Sequence, residues 1–170
     1  MSLTSVRSSS ALRTSQPVRL AIVGGLVFLA QWLVLSRLTI FGATPDAPLL
    51  YIIWVSLRYG RMPGTLVGFG LGLAVDATLG TWGLHMLTKT IMGFVGGSFN
   101  ASERELLIVS PGQALLGGFV FALVHNGLYV LLLAMSEGMR QMSLIWGTWL
   151  GSSVYTAVLA FVVALFAYRR

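Results

Sequence analysis

The stretch "GRMPGTLVGFGLGLAVDATLG", residues 60 to 80, sets Gly60, Gly64, Gly68, Gly72, Asp76 and Gly80 at every fourth position of an otherwise apolar segment. Residues four apart share one face of a helix, so the segment reads as a helix whose stripe of small residues leads to a carboxylate. In lipid such a stripe lets another backbone approach closely, because dispersion and weak hydrogen bonds replace the hydrophobic effect as the attraction between helices. The stretch therefore points to a bundle of closely packed membrane helices.

Composition leads to the same class. Of the 170 residues, 56% are hydrophobic and only 9% charged, with a mean hydropathy of +0.83; a soluble domain carries about 25% charged residues. Apolar runs at 20–36, 112–135 and 142–168 approach or exceed the ~20 residues that cross a hydrocarbon core. The absence of cysteine excludes disulfides, thiolate metal sites and cysteine nucleophiles. The net charge of +6 does not form a stripe for nucleic acid: the basic residues sit at segment ends and short connections, where they act as topology signals. No small-residue cleavage site follows the first apolar run, which is kept as a membrane anchor and not a signal peptide.

Worked outward from the glycine helix, the chain divides into a flexible cytoplasmic tail over 1–18, rich in Ser, Thr and Arg, and a single six-helix transmembrane domain over 19–170. The first span covers 19–40 and "GATPDAP" ends it, with Asp46 suited to cap a helix starting at Ala47 or Pro48. The next apolar stretch, 47–57, is short for a crossing, and two short spans, 45–59 and 63–79, joined by an arginine-bearing turn at 58–64, are expected. A fourth span follows at 83–99, closed by "NASERE", whose "SERE" reads as a solvated loop. Ser110 and Pro111 form an N-cap and first helical residue for a fifth span to 135, and "SEGMRQ" separates it from a sixth, 142–168. With both termini inside, the inner segments hold Arg7, Arg13, Arg19, Arg58, Arg61, Arg104, Arg169 and Arg170, against Arg37 and Arg140 outside. That bias places the termini in the cytoplasm.

Few residues could carry chemistry. The Gly64, Gly68, Gly72 and Asp76 face is expected to pack against a helix of the same chain, of a partner or of a second copy. Asp76, near the outer end of the third span, and Lys89, about two turns into the fourth, are expected to form an intramembrane ion pair or to cap the "ATLGTWG" turn, because an unpaired charge at that depth is costly. His85 and His125 lie on different spans with no further ligand at metal spacing, so no metal or cofactor is expected. His125 and Asn126 read as interhelical hydrogen-bonding groups or as cavity lining, and Gln31, Ser152, Ser153 and Tyr155 have the same modest interhelical reading. Trp82 suits an interfacial anchor. No catalytic constellation or phosphate loop is present, and the chain is expected not to be an enzyme.

The stretch "TPDAPLLYIIWVSLRYGRMPGTLVGFGLGLAVDATLGTWGLHML", 44–87, resembles the core of the bacterial rod shape-determining protein MreD family. The resemblance rests on Pro45-Asp46 opening a short apolar helix, a basic-and-glycine turn, Gly64, Gly68-Phe69-Gly70 and Gly72-Leu73 leading to Asp76, and Gly83-Leu84 opening the next helix. It implies a non-enzymatic, multi-pass scaffold of the cell-wall elongation complex in the inner membrane. The implied partners are a single-span MreC-like protein and the MreB-linked machinery with its glycosyltransferase and transpeptidase. It also implies a fold similar to the S components of energy-coupling factor vitamin transporters, which supplies the rival reading. An S component should enclose a polar cavity for a vitamin and dock through small residues of its first span, for which Ala21 and Gly25 are the candidates.

Overall fold

The structure is a computed structural model that describes residues 4–81, 83–99, 110–137 and 144–168. Among them are six α-helices: α1 (Thr4–Leu33), α2 (Ala47–Tyr59), α3 (Arg61–Leu79), α4 (Leu84–Ser98), α5 (Pro111–Glu137) and α6 (Ser152–Tyr168), with a π-helical turn, Leu144–Gly151, leading into α6. Four apolar segments, Gln16–Arg37, Arg61–Leu79, Pro111–Met135 and Trp146–Ala167, are long enough to cross a membrane. The chain is thus an all-helical, multi-pass membrane protein. At ~1.5 Å per residue, the 13 residues of α2 reach only about two-thirds, and the 15 of α4 about three-quarters, of a ~30 Å hydrocarbon core.

The helix starts follow local chemistry. Asp46 caps α2, its Oδ1 accepting from the Leu49 amide at 2.8 Å, with proline in the first turn. Ser110 and Gln113 bond reciprocally in a capping box at the start of α5: the Gln113 amide donates to Ser110 Oγ, and the Ser110 amide to Gln113 Oε1. Between α2 and α3 the expected seven-residue turn contracts to Gly60 alone, whose φ of +90° and ψ of −173° belong to a region only glycine enters readily. The α3 helix therefore begins two residues earlier than expected, at Arg61, whose guanidinium lies 5.4 Å from the Phe94 ring centroid. The α1 helix starts at Thr4, inside the segment expected to be a tail. Extending an existing helix needs no new nucleus, so a polar, Ala- and Ser-containing stretch can continue it. Trp82, "SERE" at 102–105, Arg140 and the pair Arg169 and Arg170 lie outside the described residues.

The most extensive packing joins α3 to α4 and α5 to α6, and α2 lies against α1, α3 and α4. One face of α2, with Leu49 and Ile53, packs on Met92 and Ala122; the opposite face, with Tyr51, Ile52 and Val55, packs on Leu71, Leu20 and Phe28. A short helix covered on both sides must be apolar all round, which is why α2 reads as an uninterrupted apolar run.

Candidate functional site

The glycine stripe is an internal joint. A Cβ on Gly68 would strike the Lys89 carbonyl, and one on Gly72 would lie 2.5 Å from Met86 Cα and 2.6 Å from the His85 oxygen. On α4 the complementary positions are Gly93, whose Cβ would meet the Gly64 carbonyl, and Gly97, whose Cβ would meet the Arg61 backbone. Backbone meets backbone along the whole α3–α4 hairpin. Of the expected occupants of this face, a helix of the same chain is the one found there. The α4 half of the joint, Gly93 and Gly97, went unread although these residues too are four apart.

The carboxylate at the end of the stripe closes the hairpin. Asp76 is fully buried, and its two oxygens accept four hydrogen bonds: from Thr81 Oγ1, the Gly83 amide and the His85 amide at 3.0 Å each, and from the Met86 amide at 2.9 Å. These amides are the free donors at the N-terminus of α4, where the helix dipole also favours an anion. The last residue of the joint thus caps the helix against which the joint packs, as the expected capping of the "ATLGTWG" turn requires.

The expected Asp76–Lys89 pair is not the one formed. Lys89, 1% exposed, makes its salt bridge to Asp46 Oδ2, in the loop before α2. The correction has a simple cause: Asp76 is already satisfied by four donors, whereas Asp46 spends Oδ1 on the Leu49 amide and keeps Oδ2 for the ammonium. A buried charge takes the partner with unspent acceptor capacity.

Asp46 sits in a loop held from three helices. From α1, Gln31 donates Nε2 to the Pro45 carbonyl at 2.9 Å and accepts the Ala47 amide at 3.0 Å. From α6, Ser152 Oγ accepts the Thr44 amide at 3.1 Å and Thr156 Oγ1 accepts the Asp46 amide at 3.0 Å. From α4 comes Lys89. The loop 44–47 is therefore the knot through which α1, α2, α4 and α6 are tied.

His125 and Asn126 lie next to this knot. His125 Nδ1 is 2.9 Å from Asn126 Oδ1 and its Nε2 is 3.3 Å from Thr88 Oγ1; Asn126 Nδ2 donates to Ser153 Oγ at 3.1 Å. They bond α5 to α4 and α6, and both also line a cavity of about 130 Å³ bordered by Gln31, Asp46, His85, Lys89 and Tyr129. The interhelical and cavity readings of this pair hold together. Among the described residues no group of three metal-ligating side chains converges.

The arrangement can fix helices relative to one another. Protein-family models, curated proteins and solved structures were compared with the chain, and none matches.

Proposed function

We propose that the chain is a non-enzymatic scaffold of the bacterial cell-wall elongation complex, lying in the inner membrane with six crossings and both termini in the cytoplasm. It binds a single-span MreC-like protein and, with it, the MreB-linked machinery that includes a glycosyltransferase and a transpeptidase. The observation that carries this reading is where the charge goes. Asp46, Asp76 and Lys89 are all spent on caps and on one ion pair that hold helices together, while the outward faces of the long helices present Leu26, Leu66, Leu116 and Val163. An interior used for architecture and an apolar exterior suit a protein that works by receiving other membrane helices.

The size of the cavity weighs against the rival reading. Sites that enclose drug-sized ligands occupy about 300–1,000 Å³, and the space here is about 130 Å³, too small for a vitamin. Gly25, offered as a docking residue, does face open space, but the neighbouring Gly24 packs on the Tyr51 ring within the chain.

Extraction of the tagged protein from its own membranes in mild detergent, with mass spectrometry of what is retained, tests the proposal. Recovery of an MreC-like protein with wall-synthesis enzymes is expected. Recovery of an ATPase pair with a coupling membrane subunit would replace the scaffold with a transporter component.

A further inference from the structure

Beside its two packed faces, α2 has a third that the described helices leave open. Trp54, in the middle of this short helix, is 47% exposed, and Arg58, one turn on, is exposed with it; residues four apart share a face. That face looks out between α1 and α5. On one side of Trp54 stands Tyr51, its ring stacked on the indole with centroids 5.8 Å apart and packed with Leu20 and Phe28 of α1. On the other side is Leu50, beside Gly118 of α5.

The trough so formed has two different ends. At one, Gln31 of α1 and Thr156 of α6 both bond the loop 44–47. At the other stand two arginines. Arg19 precedes Gln31 on α1 by twelve positions and Arg58 follows Asp46 by twelve, so at ~1.5 Å per residue both lie about 18 Å from that loop. The Tyr51 hydroxyl, donating to the Leu20 carbonyl at 2.9 Å, ties α1 to α2 next to Arg19. Both arginines are exposed, and neither has a salt bridge among the described residues, where Lys89 takes Asp46. Arg61, exposed at the same turn, is directed elsewhere, its guanidinium 5.4 Å from the Phe94 ring centroid on α4.

Two unpaired guanidinium groups beside an aromatic ring and an apolar floor suit an amphiphile with an anionic head. Arginine binds phosphate oxygens through paired N–H donors, and basic pockets between membrane helices select anionic headgroups. Length decides between a lipid and a helix. A trough of about 18 Å matches one leaflet, half of a ~30 Å core together with its headgroup, whereas a crossing helix needs the whole thickness. The bonded loop 44–47 ends the trough well short of that.

We infer that the open face of α2 between α1 and α5 binds one anionic phospholipid: Arg58 and Arg19 hold the phosphate, and an acyl chain lies along Trp54 and Leu50. The inference does not depend on the scaffold reading.

The test begins with the full protein in nanodiscs of equal parts phosphatidylglycerol and phosphatidylethanolamine with the same acyl chains, released for native mass spectrometry. One phosphatidylglycerol should stay bound, in several-fold excess over phosphatidylethanolamine. Arg58→Gln and Arg19→Gln should each lower that excess several-fold, and Arg61→Gln, which makes the same change in net charge, should leave it unaltered. No excess in the parent overturns the site. So does an equal fall in all three variants, which would mean that overall charge and not position attracts the lipid. Occupancy in cells is read from benzoylphenylalanine in place of Trp54, with both arginines kept, so it holds even if the arginine variants fail to fold. A phospholipid adduct is expected there. Its absence would overturn the proposal, and a discrete protein adduct would assign the trough to a partner helix instead.

Discussion

Adding one methyl group at Gly72 should separate α3 from α4. A Cβ there would stand 2.5 Å from Met86 Cα, 2.6 Å from the His85 oxygen and 2.9 Å from its carbonyl carbon. All three are backbone atoms and cannot rotate aside, so the helices must move apart along a joint that also carries Gly64 and Gly68. Overpacking of this kind costs about 1–3 kcal/mol. Gly70 is the internal control, because it lies on the same helix two residues away and a Cβ there meets nothing within 4 Å. There alanine should be neutral or stabilise by up to about 1 kcal/mol through helix propensity. The two variants carry the same chemical change, so the propensity gain cancels and the joint alone should separate them by roughly 1–3 kcal/mol. Unfolding of the purified protein by SDS titration in mixed micelles, followed by tryptophan fluorescence, reads that difference. Equal midpoints for Gly72→Ala and Gly70→Ala would refute the close approach of α3 and α4.

Three further substitutions probe the polar joints by the same titration. Asp76→Asn leaves one carbonyl oxygen where the carboxylate accepted four donors; with about two charge-assisted bonds lost, each worth about 1.5–3 kcal/mol, stability should fall by several kcal/mol, and parent-like unfolding would contradict the cap. Lys89→Met abandons Asp46, and breaking a buried pair costs about 3–5 kcal/mol; the double variant Lys89→Met with Asp46→Asn keeps the cap oxygen and should recover part of the loss, whereas simple addition of the two single effects would count against the pair. Asn126→Ala removes the bonds to Ser153 and His125 and should cost on the order of 0.6 kcal/mol per bond; a loss of several kcal/mol would show that the polar cluster is worth more than its separate bonds.

The glycine periodicity in "GRMPGTLVGFGLGLAVDATLG" carried the α3–α4 joint and the position of Asp76 at its end, because contact between helix backbones requires small residues at helical spacing and little else. Asp46 was legible as a cap for the same local reason. Its pairing with Lys89 was not. The two residues are separated by 43 positions, and which carboxylate a lysine meets depends on how many donors each has already accepted, a property of the folded loop 44–47. Gln31 and Ser152 were legible as interhelical hydrogen-bonding groups, but their partners in the loop, and the part played by Thr156, were not, since each of these side chains bonds a distant backbone amide or carbonyl that no spacing rule marks. The turn at Gly60 shows a smaller miss: two arginines suggested a longer exposed connection, but a glycine at positive φ reverses the chain within one residue. The shortness of α2, hard to reconcile with a crossing from its length alone, follows once it is seen covered by helices on both faces.

Outward faces that receive other membrane proteins are the centre of the functional account. The direct test is photo-cross-linking in living cells, with benzoylphenylalanine placed singly at Leu26, Leu66, Leu116 and Val163, all exposed on α1, α3, α5 and α6, and at the fully buried Ile52 on α2 as control. The account predicts a discrete protein adduct from at least one outward position, containing an MreC-like single-span protein, and none from Ile52. Outward positions that all cross-link only to lipid would contradict it.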